Sequence, residues 1–281
     1  MTNKGVEFVL NTTNISGDFN WETSLNFSYN RNKVTNLGGQ QVIDEGSSRF
    51  MNVVMVGQPL GVFYGAEYAG VDPENGDAIW YVNEKDENGD VIDHTTTTAD
   101  FAEANFVVLG NPNPPFLGAI TNTFGYKGVG LTFTFQGVAG NKIQMAGDPY
   151  MAANATWFDN QTTDQLDSWK EPGDVTMVPQ ARLGYSNGDQ GRSSRYISDG
   201  DYVKLRSAML SYDLPASFVR KLNLTGLRVY LQGQNLLTFT KFIGWDPEVS
   251  SDFAVTNITS GLDFYSAPQP RTILIGLSIN L

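Results

Sequence analysis

The 281-residue sequence contains no cysteine and a single histidine, His94. The first absence excludes disulfide staples, thiolate catalysis and cysteine-ligated zinc. The second leaves no pair of imidazoles for a metal centre. No stretch approaches the roughly 18 consecutive apolar residues that a membrane-spanning helix requires, so any passage through a bilayer has to be made by strands. Basic residues are also scarce: 18 Lys and Arg stand against 30 Asp and Glu, a net charge of −12. That balance repels a phosphate backbone and argues against nucleic acid as a partner. The opening MTNKGVEFVL has no basic segment followed by an apolar run and a small-residue cleavage site, so no secretory signal is read there.

What the sequence has instead is alternation. In WETSLNFSYN, Trp21, Thr23, Leu25, Phe27 and Tyr29 share one face, and Glu22, Ser24, Asn26, Ser28 and Asn30 share the other. The apolar face is aromatic at both ends and aliphatic in the middle, the order that suits two membrane interfaces with hydrocarbon between them. LTFTFQG sets Leu131, Phe133 and Phe135 against Thr132, Thr134 and Gln136. LRVYLQGQ sets Leu227, Val229 and Leu231 against Arg228, Tyr230, Gln232 and Gln234. A face carrying Arg and two Gln fits a water-filled lumen better than a dry core, because buried amides and guanidinium need partners. At the end of the chain, Ile273, Ile275, Leu277, Ile279 and Leu281 alternate with mostly small or polar residues. In DYVKLRSAMLSYDLP the alternation breaks near Ser207, as a β-bulge there would produce.

Connection lengths decide between a sandwich and a barrel. Lys127-Gly128 is a tight turn, and LPASFVRKLNLTG, with Pro215 opening a helical turn, is another compact link. Residues 138–200 and 240–269 are long. Short and long links in alternation describe an up-and-down membrane barrel with long loops outside, and a Greek-key sandwich has no reason to sort its loops this way. The expected strands are 5–12, 19–34, 116–126, 129–137, 201–213, 225–237 and 270–281, with the number of spans in 37–115 open. About seven strands, starting at the outer side, make an all-β antiparallel transmembrane segment of a larger barrel. A secreted soluble β-sandwich that binds glycans is the competing reading.

Read together, several stretches resemble the SusC/RagA family of TonB-dependent outer-membrane transporters: FNWETSLNFSYNRNKVTNL, VGQPLGVFYGAEYAGVDPENGD, LGNPNPPFLGAITNTFGYKGVGLTFTFQG, SDGDYVKLRSAMLSYDLP, LRVYLQGQNLLTFTKFIGWDPEV and PQPRTILIGLSINL. They span nearly the whole chain. The resemblance implies that residues 1–281 are the C-terminal part of a barrel of about 22 strands, with the plug and signal sequence absent. It also implies a cell outer-membrane location, a SusD-like surface lipoprotein as partner, TonB energy coupling through the absent N-terminal part, and glycan or peptide as cargo.

Candidate chemistry is sparse. Asp86, Asn88 and Asp90 have the spacing of an oxygen-ligand calcium loop, but Val91 and Thr97 stand where an EF-hand needs Gly and Glu. Asn75-Gly76 and Asn88-Gly89 read as hairpin turns, and His94 reads as a solvated loop residue. No carboxylate pair is set in an apolar context that would raise one pKa, so no catalytic residue, metal ligand or cofactor site is assigned and an enzyme is not expected. Trp245, with Asp246 and Glu248 beside it and Tyr265 further on, is the candidate substrate contact: a ring for stacking next to hydrogen-bond acceptors.

Overall fold

The computed structural model describes residues 1–44, 49–87, 91–248, 250 and 258–281. Seven long strands carry the architecture: β1 (Thr2–Ile15), β2 (Phe19–Lys33), β3 (Phe116–Tyr126), β4 (Val129–Ala139), β5 (Tyr202–Asp213), β6 (Gly226–Thr240) and β7 (Thr272–Asn280). They form one sheet in chain order, every neighbour antiparallel. The shortest, β7, has 9 residues, enough for a tilted strand to cross a bilayer, which takes about 9–11.

Pairing overrides local preference at the ends. β1 runs beyond the expected 5–12 because Thr2 to Lys4 at one end, and Thr13 and Ile15 at the other, each find a partner on β2. At Lys127-Gly128 both residues have positive φ (48° and 86°), the requirement of the two-residue turn whose twist matches a hairpin. Pro215 precedes a single helical turn, Ala216–Val219, that links β5 to β6.

The β5 bulge is present at Arg206. On the β4 side Thr134 faces Ser207 while Phe135 faces Leu205, so Arg206 has no opposite residue. On the β6 side Leu205 faces Leu237 and Ser207 faces Gln234. Asn235, at φ 51°, absorbs the irregularity there and lets β6 continue to Thr240. The extra residue keeps Lys204, Arg206 and Ser207 on the inward face, while Leu205 and Ala208 stay outward.

Register then fixes both faces of the wall. Rows such as Tyr212–Val229–Leu277 and Leu210–Leu231–Ile275 point outward, and Ile275 is 81% exposed. Trp21 stacks on Phe124 near the tight turns, with ring centroids 5.7 Å apart. Tyr29 and Phe116 meet at 5.0 Å near the other end. Leu10, Leu25 and Ile120 form one aliphatic row between them. The opposite face holds Thr121 hydrogen-bonded to Thr134 at 2.9 Å, Arg228 paired with Asp213 at 2.6 Å, and Gln232. Among the described residues no second sheet covers the outward face, so the sandwich alternative finds no counterpart.

The buried apolar core lies elsewhere. The long connections gather at the end of the sheet opposite the tight turns, and they contain short strands instead of further spans; the described residues of 37–115 contribute none. Ala66, Ala78, Trp80 and Ala104 form one cluster, Met51, Phe63 and Leu262 a second, and Ile143, Met145 and Phe242 a third. The hairpin expected around Gly76 is present, Tyr68–Val71 pairing with Ala78–Tyr81, and Gly76 takes a φ of 77° in its loop.

An arginine at Val229 or Leu277 would place a charge on the outward face of two neighbouring strands. Near the bilayer midplane this should cost about 2–4 kcal/mol. Denaturant titration of the lipid-reconstituted barrel measures it, with inward Gln232→Arg expected to be nearly neutral.

Candidate functional site

The three long connections are knitted together by buried amides. Gln144, fully buried, accepts from the Met51 N–H at 3.1 Å and donates to the Arg49 carbonyl at 2.6 Å. Asn187 accepts from Ala78 N–H at 2.9 Å and donates to the Gly76 carbonyl at 3.0 Å. Asn52 donates to the Ser260 carbonyl at 3.1 Å. The strand Lys142–Met145 pairs with both Ile197–Asp199 and Leu262–Asp263. Each bond satisfies a group that would otherwise be stranded away from water, so the loops form one cap.

The cap is anchored to the wall by charge. Lys204, on β5, is only 1% exposed and its Nζ lies 2.5 Å from Asp246 Oδ1 and 2.6 Å from Glu248 Oε2. Arg206, the bulge residue, pairs with the other Glu248 oxygen, and its guanidinium also donates to Gln136 on β4 and Asn235 on β6, both at 2.9 Å. Tyr202 donates to Glu248 at 3.0 Å. Asp246 further accepts from the backbone of Glu248 and Gln269, at 3.0 and 3.1 Å. Burial would raise both carboxyls. For Asp246 the hydrogen bond from Lys204 and those backbone N–H groups outweigh it, and for Glu248 the bonds from Lys204, Arg206 and Tyr202 do, so both are held below the usual carboxylate range.

This arrangement divides the four candidate contacts. Asp246 and Glu248 turn inward to Lys204, while Trp245, 77% exposed, and Tyr265, half exposed, project from the same connection. Trp245 and Tyr265 line one cavity of about 560 Å³, together with Met151, Asp148, Asp164 and Asp263. An adjoining cavity of about 350 Å³ shares Asp148, Asp164 and Ile243 and adds Tyr68, Arg195 and Tyr196. These acids and Arg195 were not distinguished in the sequence, where Asp148 is one of many loop acids. The Asp148 carboxyl is pushed up to about 6 by burial first, then by Asp164 and Asp263, with Arg195 opposing. The site therefore offers two rings, a thioether and three carboxyl groups.

Other candidates lie apart. His94 is half exposed, stacks on Tyr81 at 4.0 Å and reaches Glu67 at 2.9 Å. Of the calcium pattern, Asn88 and Asp90 lie outside the described residues. No group of three or more His, Asp or Glu able to hold a metal occurs among the described residues.

No family model matches the chain. It is 32% identical over 294 residues to TonB-dependent receptor P3 of Formosa agariphila, covering 99% of this chain and 28% of that protein. It is 25% identical to TonB-dependent receptor SusC of Bacteroides thetaiotaomicron, covering 99% of this chain and 26% of that one. A solved structure, that of the RagAB peptide transporter, superimposes with a TM-score of 0.81 at 26% identity, over 99% of this chain and 29% of the matched chain. The chain thus spans less than a third of the length of these relatives.

Two outcomes follow for the cap. Lys204→Ala leaves the buried Asp246 carboxylate without a cation and Glu248 with Arg206 as its remaining cation, and should cost about 3–5 kcal/mol, measured as faster proteolysis and hydrogen exchange within 241–248 and 258–271. Asp148 holds its proton more tightly folded than unfolded, so its contribution is fully present below about pH 4 and is lost as pH rises through about 6. Asp148→Asn should therefore protect the cap from exchange at pH 7 and make no difference at pH 4.

Proposed function

Because the chain belongs to the SusC/RagA type of TonB-dependent receptors, we propose that residues 1–281 are the C-terminal part of such a receptor's β-barrel, placed in the cell outer membrane. In this reading the complete receptor imports glycans or peptides. It works with a SusD-like surface lipoprotein, and TonB coupling is supplied through an N-terminal part outside this sequence. The observation that carries the proposal is the sorting of the molecule into two ends. Seven strands present an apolar outward and a polar inward face, all tight turns lie at one end, and the cap with its cavities lies at the other. A barrel in an outer membrane has short turns inside and long loops outside, and in this reading the Trp245–Tyr265 cavity faces arriving cargo.

The chemistry expected of this chain is recognition. Trp245 and Tyr265 supply flat apolar faces, and Asp164 and Asp263 supply acceptors for sugar hydroxyls or for the N–H groups of a peptide. Asp246 and Glu248, bound to Lys204, set the position of Trp245 and do not themselves offer free oxygens to cargo. Its relatives are receptors and transporters, and no catalytic role is assigned.

A peptide tag at the exposed Gly184-Tyr185 should be labelled on intact cells, and one at Lys127-Gly128 only after the outer membrane is permeabilised. Equal labelling before permeabilisation would reverse the orientation. In the same cells Trp245→Ala should reduce cargo uptake several-fold at an unchanged amount of folded barrel; unchanged uptake would leave this tryptophan as loop packing.

A further inference from the structure

The registers assign every residue of the seven strands to a face. On the outward face only three side chains are charged, and all three are basic neighbours: Lys4 on β1, and Arg31 and Lys33 on β2. Lys4 lies directly opposite Arg31, and Lys33 follows on the next outward rung, opposite Thr2. All three are exposed, and none forms an ion pair with any described residue. Like charges placed directly opposite on paired strands repel and destabilise the pair. In a chain with net charge −12, a cluster of unpaired cations runs against the composition.

Its position gives it a purpose. Directly beneath, one rung toward the membrane, are Tyr29 and Val6, with Phe116 packed on Tyr29. Below these come Phe8, Phe27, Leu10 and Leu25. Read along the wall from the cap, the order is cations, aromatic ring pair, hydrocarbon. That is the profile of an anionic lipid: charged headgroup, interface, acyl chains. Arg31, Tyr29 and Phe116 also border a recess of about 550 Å³ beside Pro115, which gives a headgroup depth as well as charge.

We propose that Lys4, Arg31 and Lys33 form a binding site for the phosphorylated headgroup of an outer-leaflet lipid, whose acyl chains lie on Val6, Phe8, Leu10 and Leu25. A phosphate between Lys4 and Arg31 converts a repulsive rung into two charge-assisted hydrogen-bonded pairs. The proposal rests on the outer-membrane barrel reading above and adds a lipid specificity to it.

The test uses the complete receptor, reconstituted in nanodiscs of phosphatidylcholine alone, phosphatidylcholine with lipid A, or phosphatidylcholine with inorganic phosphate in the buffer. The thermal midpoint and heat-modifiable gel migration are both recorded. The native receptor should gain a higher midpoint with lipid A only. The triple variant Lys4→Gln, Arg31→Gln, Lys33→Gln should lose that gain. Arg31→Gln alone removes the repulsive rung, so it should fold as well as the native protein and keep a reduced gain. A full gain in the triple variant, or in Arg31→Gln should the triple variant fail to fold, overturns the site. An equal gain with inorganic phosphate replaces the lipid with a soluble anion and overturns it too. Absence of heat-modifiable migration in the native receptor would instead be a failure of the barrel reading.

Discussion

A primary ammonium group with 1% exposure has to be surrounded by charge of the other sign, and that requirement at Lys204 organises the junction between wall and cap. Two carboxylates are drawn onto it from one connection, and Asp246 and Glu248 are close enough in sequence that binding both fixes the turn between them. Arg206, two residues further on and so on the same face as Lys204, takes the other Glu248 oxygen. Through its guanidinium, three adjacent strands and a loop share one hydrogen-bonded cluster. Remove the lysine and Asp246 becomes a buried anion without a cation, while one Arg206 is left to Glu248. The geometry of the cavity above, including the outward throw of Trp245, depends on that neutralisation.

The bulge also explains how a wall can be strict on one side and adaptable on the other. Outward, Leu205 and Ala208 continue an apolar surface across the irregularity. Inward, the inserted residue is where the polar network concentrates. Had the strand stayed regular from Tyr212, Leu210 and Ala208, strict alternation would have turned Arg206 and Lys204 outward and Leu205 and Val203 inward, at a cost of about 2–4 kcal/mol for each cation near the bilayer midplane. One extra residue keeps the guanidinium with its partners and out of the apolar surface.

How much of this was legible in the sequence depends on the range of the forces involved. The wall was readable because a two-residue period is a local property: Leu227, Val229 and Leu231 against Arg228, Gln232 and Gln234 needs no knowledge of neighbours. The break near Ser207 was visible for the same reason, although its cause, a residue unpaired on β4 and an Asn235 with positive φ on β6, was not. The cap was not readable. Its strands are mostly four residues or fewer, too short to show a period, and its core joins Met51 and Phe63 to Leu262 across some two hundred residues. The run FMNVVMVG was the available signal that an apolar core, and not only solvated loop, lay there. Asp246 and Glu248 looked like surface acceptors because sequence shows the carboxylates and not the lysine forty residues earlier that takes them.

The separation of wall from core has a thermal consequence. The cap is held by apolar surface removed from water, a contribution that carries a large heat-capacity change and weakens on cooling as well as on strong heating. The wall, in lipid, gains little from that source and relies on a complete ladder of backbone hydrogen bonds. The two ends of one chain therefore have stability curves of different shape. In the cold the clusters around Trp80 and Met51 lose strength while the strands beneath them do not, so the wall would hold its form while the cap above it loosens.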